Sequence, residues 1–447
     1  MYRVFSSKNK QRLFELKVYR QRRKHKKCSC HNHVETEFRY KNRLKYVATL
    51  FIKQFYYKGY IDKSLVCRTV FVPSDLSFES NMDDCVLFFK KVLSSFIYGK
   101  GHITLDFSKC NHTSISCFTL LDIIFRDCKM LLNRYNYGVK NQTHKEFKVI
   151  HSKKNNRTNK YLHAFNFKKI QIEDSDDSRF LLLNLHKGKR KTYKHNMKAA
   201  TCQHVVDFVN KSLSASNCEF RPRGRSQIES LITEVLNNAE DHSLAHSEWY
   251  VNGISFHEIQ NQTEVIELNL SIINIGESMY EGFEGTKALN RDNYNKVENQ
   301  YQKHQKLFTL FNKFERESLF MLYMLNEGIS RLKYEDNSRG NGTMRFIEAF
   351  MVLGSFGKVN RQFMPKLNIT SGHSVLTCNT DYEPFTKGSF KIISLNKEQT
   401  LDKLPDKQNL KTFSAYFPGM ILECTIYLNK NYLQTILNGK DKNTDRA

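Results

Sequence analysis

The chain has 447 residues, enough for about two or three domains, and 40% of them are hydrophobic, enough for folded cores. With 19 Gly, 6 Pro and 26% charged residues, a collagen-like or largely disordered chain is excluded. No apolar run approaches the roughly 18 residues of a membrane-spanning helix, and no apolar region follows the basic N-terminus as in a secretory signal. We therefore expect a cytoplasmic protein without a membrane partner, whose 11 Cys are reduced thiols.

The net charge of +25 is unevenly distributed, and residues 1–46 form a basic N-terminal arm. Such a charge run attracts nucleic acid or another polyanion without reading its sequence, and it is equally typical of an arm that only adds solubility. Both interpretations stay open. The residues that would contact a nucleic acid lie in the densest part of the arm and are Arg20, Arg22, Arg23, Lys24, Lys26 and Lys27.

Residues 47–215 alternate predicted strands and helices, which indicates an α/β sandwich with helices on one face. The strands are predicted at 70–72, 102–107 and 179–185, and the helices at 83–96, 114–128 and 199–213. The strand and helix start at 103–121 resemble a STAS-like domain, the fold of bacterial anti-sigma-factor antagonists. That resemblance implies either a docking domain or a phosphorylated serine near Ser114 and Ser116, although the usual Asp-Ser-Ser-Gly stretch is absent.

Residues 219–430 begin with a predicted helix that carries a polar stripe beside its apolar face. Ser226 and Glu229 form a capping-box pattern, which predicts that the helix begins at Ser226. Glu234, Asn238 and Asp241 follow at the spacing of one helix face. Taken alone, this pattern is also that of an ordinary amphipathic helix.

Two later segments give the stripe a chemical context. A predicted hairpin at 249–258 and 264–275 ends in Asn274, Gly276, Ser278 and Met279. A second glycine-containing segment precedes a predicted helix at 344–353 and comprises Arg339, Gly340, Asn341, Gly342 and Thr343. Glycines before a helix let the backbone approach phosphate groups, and the helix N-terminus favours an anion.

These segments together resemble the GHKL, or Bergerat-type, ATPase fold of the histidine kinase-like ATPase superfamily. The resemblance covers 219–430 and implies an ATP-binding α/β sandwich of the α+β class, after the STAS-like module and before a tail at 431–447. It implies that Asn238 binds Mg²⁺, that Glu234 is the general base, and that 280–338 form a lid over ATP. The other residues named above in the helix stripe and in the two glycine-containing segments would contact the nucleotide. A slow Mg²⁺-dependent ATPase that switches conformation is the expected function, and a homodimer is expected because many relatives dimerise.

Two departures from the family pattern concern the adenine end of the predicted site. Asn274 stands where the family has Asp, and Met420 stands where it has Thr. An amide can accept from adenine or donate to guanine, so the base remains open. Three other functions also remain open. They are a serine kinase of the anti-sigma, partner-switching type with an unknown protein partner, a sensor kinase using His204, and a non-catalytic nucleotide-regulated nucleic-acid-binding protein. The high Lys, Asn, Phe, Tyr and Ile usage suggests a bacterial source.

Overall fold

The computed structural model divides the chain into two units, residues 1–48 and 49–447, and all described residues belong to the second. The described residues are 55, 58–136, 145–152, 156–165, 167, 179–189, 197–214, 218–219, 222–241, 248–260, 262–310, 312–329 and 342–432. The basic arm with its six candidate residues, the tail beyond 432, and Arg339, Gly340 and Asn341 therefore lie outside them.

The first part of the second unit alternates short parallel strands with helices, as the sequence predicts. The elements are β1 Thr69–Phe71, β2 Asp75–Leu76, α1 Phe78–Tyr98, β3 Ile103–Asp106, β4 His112–Thr113, α2 Ile115–Asn136, β5 Phe147–Ile150 and α3 Asn156–Ala164, after a 3₁₀ turn at Lys63–Leu65. Strands β1, β3 and β5 form a three-stranded parallel sheet in the order β1-β3-β5, and β2 pairs with β4. Apolar residues at helical spacing form the buried faces of α1 and α2.

A five-stranded antiparallel sheet is the centre of the described residues. Its strands are β6 Arg179–Lys189, β7 Glu248–Gln260, β8 Thr263–Asn274, β9 Lys366–Cys378 and β12 Leu410–Leu428, and their order in the sheet is β6-β7-β8-β12-β9. The predicted hairpin is confirmed, since β7 and β8 pair from Trp249 opposite Asn274 to Gln260 opposite Thr263. The buried positions of β8 run without a break from Val265 to Asn274, which is typical of a strand covered on both faces.

The boundary between the predicted modules differs from the one expected at 215–219. Strand β6, expected in the STAS-like module, pairs with β7. Helix α4, Met197–Ser214, follows it, and its Val205 lies in the same buried core as Leu183 of β6 and Leu236 of the next helix. Strand β6 thus completes the larger sheet, and α4 packs against it because Leu183 and Val205 are buried in the same core.

The remaining helices are α5 Pro222–Asp241, α6 Met279–Glu284, α7 Arg291–Gln305, α8 Arg316–Met324, α9 Gly342–Leu353 and α10 Phe356–Val359. A 3₁₀ turn at Arg361–Phe363 and a hairpin of β10 Phe385–Lys387 and β11 Phe390–Ile392 complete the list. The predicted helix start at Ser226 is wrong. Helix α5 begins at Pro222, one turn earlier, where a proline is tolerated because the first N–H groups of a helix have no intrahelical partner.

Helices cover both faces of the five-stranded sheet, where a two-layer arrangement was expected. Leu422 and Cys424 of β12 belong to the core that contains α4, α5 and α9. Glu423 lies between them on the opposite face, where its Oε2 accepts a hydrogen bond from Ser116 N of α2 at 3.1 Å. The class is therefore mixed α/β. None of the helices in the described part of the chain combines the length and the apolar character needed to cross a lipid bilayer.

Candidate functional site

Helices α5 and α9 meet through two residues that the sequence analysis singled out. Asn238 Nδ2 donates a hydrogen bond to Thr343 Oγ1 at 3.2 Å, although the two residues are 105 positions apart. Thr343 is the second residue of α9, where backbone N–H groups have no intrahelical acceptor and the helix dipole is positive. Among the described residues, no hydrogen-bond donor contacts Asn238 Oδ1.

Glu234 lies one helical turn before Asn238, so both side chains occupy the same face of α5. Glu234 is half-buried, and within the described ranges it forms no hydrogen bond or ion pair. On the neighbouring face of α5 the polar side chains are paired. Lys198 Nζ contacts Asn237 Oδ1 at 2.6 Å and Glu240 Oε2 at 2.9 Å. Within the part of the chain that the structure describes, Glu234 beside Asn238 has no charged partner, whereas Glu240 is paired with Lys198.

Asn274, at the end of β8, joins three elements through its side chain. Its Nδ2 donates to the carbonyl oxygen of Ala239 in α5 at 3.2 Å, and its Oδ1 accepts from the Met420 N–H in β12 at 2.8 Å. Strand β12 needs a glycine at 419, where its pairing with β9 is irregular, since φ there is +112° and a Cβ would lie 2.2 Å from the carbonyl oxygen of Asn274. Gly276 N donates to the carbonyl oxygen of Pro418 at 3.4 Å, which joins the residues after β8 to β12.

Ser278 and Met279 are engaged in local structure at the start of α6. Ser278 Oγ accepts from Glu281 N at 3.1 Å and Ser278 N donates to Glu281 Oε2 at 3.0 Å, which is a complete capping box. Met279 N donates to Ser371 Oγ at 2.8 Å, and that hydroxyl donates to the carbonyl oxygen of Gly419 at 2.7 Å. Both predicted contact residues therefore hold the segment between the end of β8 and α6 in place.

Sequence reasoning did not assign a role to Ser371 or to Glu317. Glu317 Oε1 accepts from His373 N at 2.9 Å, and burial raises the pKa of the Glu317 carboxyl. Gly372 has φ +58°, and a Cβ there would lie 1.7 Å from Glu317 Oε1. The Ser-Gly pair at 371–372 was a visible signal, but nothing local predicts partners 56 and 92 positions away.

The predicted metal site depends on a small donor set. In the part of the chain that the structure describes, no group of three or more His, Cys, Asp or Glu side chains could hold a metal ion. Mg²⁺ at nucleotide sites takes only one or two protein oxygens, with phosphate and water oxygens completing six. Asn238 Oδ1, which accepts no hydrogen bond from the described residues, fits that requirement. Gly342 opens α9, and Asp241 is the last residue of α5.

The serines that resembled a phosphorylation site are buried. Ser116 has no exposed surface and Ser114 retains 6%. Their hydroxyls lie 2.9 Å apart, and Ser116 N donates to the buried Glu423. A kinase cannot reach either hydroxyl in this fold, so the regulatory serine that the STAS-like resemblance implied is not supported. His204, the candidate of a sensor kinase, instead stacks on His186 with ring centroids 4.7 Å apart.

No protein-family model, curated protein or solved structure matches this chain. The GHKL and STAS-like resemblances therefore rest on the sequence motifs alone.

Proposed function

We propose that residues 219–430 have the Bergerat-type arrangement and bind Mg²⁺ and ATP where α5 meets α9, with slow hydrolysis of the nucleotide. The observation that carries this proposal is the Asn238–Thr343 hydrogen bond. It places the helix stripe predicted to hold the metal beside the helix start predicted to hold phosphate.

Each of the three side chains has a distinct part in this proposal. Thr343 and the first N–H groups of α9 favour the negative charge of the phosphates. Asn238 offers its amide oxygen to the cation, while its Nδ2 stays on Thr343 and holds that oxygen in place. Bound Mg²⁺ would supply positive charge that offsets the charge of the phosphates.

Glu234 is the proposed general base, because it is the carboxylate on the Asn238 face that has no partner within the described residues. An unpaired carboxylate can accept a proton from a water molecule, and such a base typically contributes ~10²–10⁴ in rate. A carboxylate held by a lysine, like Glu240, is less able to do so.

The test is Mg²⁺-dependent ATP turnover by the full chain and by Glu234→Gln. We expect turnover to fall at least ~10²-fold while ATP binding is retained, because glutamine cannot accept the proton. Glu229→Gln is the matched control, since Glu229 lies on the same helix about 140° around its axis from Glu234. Equal turnover by the wild type and Glu234→Gln, or an equal loss in Glu229→Gln, would contradict the assignment.

The other functions predicted from the sequence stay alternatives. A partner-switching serine kinase would transfer labelled phosphate from ATP to an added STAS protein. A non-catalytic nucleic-acid-binding protein would lose its binding when the arm at 1–46 is deleted, and a sensor kinase would label His204. Neither the described contacts nor the absence of matches favours any of them over hydrolysis.

A further inference from the structure

The last turn of α5 is bound by neighbouring elements through a carboxylate that lies away from the proposed cation. We propose that Glu240 is a positioning residue, whose two hydrogen bonds fix this turn and so hold Asn238 where it binds Mg²⁺. Glu240 lies about 160° around the helix axis from Asn238, so it acts through the backbone of α5 and not by contact with the nucleotide. This inference rests on the proposed function and adds a residue that sets the affinity of the same site.

Both oxygens of the Glu240 carboxylate have partners on other elements. Oε1 accepts a hydrogen bond from Trp249 Nε1 of β7 at 3.0 Å, and Oε2 accepts one from Lys198 Nζ of α4 at 2.9 Å. The same lysine donates to Asn237 Oδ1, in the residue immediately before Asn238, at 2.6 Å. Hydrogen bonds to charged groups are stronger than those between neutral groups, so these three together oppose rotation of the turn about its own axis.

Trp249 is a rigid anchor for the Glu240 carboxylate. The Trp249 side chain is buried, and it packs so closely on Gly188 of β6 that a Cβ there would lie 1.8 Å from Trp249 Cζ2. Trp249 is also paired with Asn274 across β7 and β8, and the Asn274 amide donates to the carbonyl oxygen of Ala239. Two opposed residues of the sheet therefore bind two consecutive residues of α5.

The placement of this turn matters because a magnesium site depends on the position of its ligands. Mg²⁺ requires oxygen ligands at about 2.0–2.1 Å in nearly octahedral geometry. The Asn238 side chain is short and its Nδ2 is bonded to Thr343, so it cannot compensate for a shift of the helix. Groups that orient a metal ligand commonly contribute to affinity although they do not touch the metal. Loss of the Glu240 bonds should therefore weaken binding without removing any ligand contact.

The test measures, by calorimetry on the full chain, the affinity for the non-hydrolysable imido analogue of ATP in Mg²⁺. We expect Glu240→Ala to raise the dissociation constant at least about fivefold. Glu240→Gln keeps one oxygen that can accept from Trp249, so its effect should be smaller. Ser255→Ala is the matched control, because it removes the buried hydrogen bond from Ser212 between the same two elements, α4 and β7, and should leave the affinity unchanged.

A second readout comes from the tryptophan and would not respond if Glu240 served only stability. The chain has one Trp, so its indole N–H gives a single cross-peak in a ¹H–¹⁵N spectrum. Coupling between two sites is reciprocal, so binding of the analogue should shift this cross-peak in the wild type. In Glu240→Ala the indole has lost its acceptor, and the shift on binding should be lost with it.

The outcomes separate this inference from the proposed function. A folded Glu240→Ala protein whose dissociation constant rises less than about fivefold, or an equal loss of affinity in Ser255→Ala, overturns the inference and leaves the proposed function standing. A wild-type indole cross-peak that does not move on binding has the same consequence. If the wild type does not bind the analogue, both are overturned. If melting curves show that Glu240→Ala is unfolded, the wild-type indole cross-peak decides alone.

Discussion

Glu423 provides a test of the packing between the large sheet and the N-terminal helices. Its carboxyl is buried on β12, and its Oε2 accepts from Ser116 N in the first turn of α2. Burial raises the pKa of this carboxyl, the bonds from Ser116 and Ser114 lower it, and the neighbouring Glu79 raises it. The raising causes prevail, so the folded protein holds the proton more tightly than the unfolded chain.

The predicted change is small for Glu423→Gln and large for Glu423→Ala. Glutamine keeps an oxygen for Ser116 N, so we expect the free energy of unfolding to stay within about 1 kcal/mol of the wild type at pH 5. Alanine leaves the buried N–H unpaired, at about 1–3 kcal/mol, and removes side-chain carbon worth ~0.8 kcal/mol per buried methylene. We therefore expect a loss of about 3–5 kcal/mol for the alanine variant.

The pH dependence has a definite sign. A carboxyl whose folded pKa is raised contributes stability at low pH, and that contribution is lost as the pH rises from the ordinary glutamate pKa through the folded value. Glutamine does not titrate, so Glu423→Gln should gain stability relative to the wild type between pH 5 and pH 9. Urea denaturation followed by circular dichroism at these pH values measures the difference. A glutamine variant as unstable as the alanine variant, or a pH-independent difference, would refute this reasoning.

Three further predictions concern the site and its surroundings. Gly419→Ala should lower the free energy of unfolding by at least about 1–3 kcal/mol in a thermal melt, because its Cβ would meet the Asn274 carbonyl oxygen at 2.2 Å and its φ is +112°. A melt equal to that of the wild type would contradict the described backbone of β12 at this position. The pKa of His186 is lowered by burial and by His204, so stability should fall as the pH drops below about 6.5. His204→Ala should flatten this fall in urea titrations at pH 5–7.5, and an unchanged slope would argue against the coupling. Asn238→Ala should weaken Mg²⁺-dependent nucleotide binding at least about tenfold in calorimetry, because one oxygen ligand is lost; unaltered affinity would remove Asn238 from the site.

Local patterns in the sequence were sufficient to predict several elements around the candidate site. Alternation and a short polar spacer predicted the β7–β8 hairpin, and the spacing of apolar residues predicted α5 with Glu234 and Asn238 on one face. Both signals come from residues close together in the chain, where backbone geometry alone sets which side chains share a face. The start of α5 was predicted one turn too late because the residues of a capping box, Ser and then Glu three positions on, can also occur inside a helix.

Contacts between distant segments were decided only by the tertiary structure. The assignment of β6 to the large sheet depends on its pairing with β7 and on the core it shares with α4 and α5. The Asn238–Thr343 bond and the two bonds of the Asn274 amide each join separate elements. Ser116 is buried because the opposite face of the sheet carries Glu423 against α2. Such contacts depend on which surfaces pack together, and periodicity records only that a surface is apolar, not which surface will cover it.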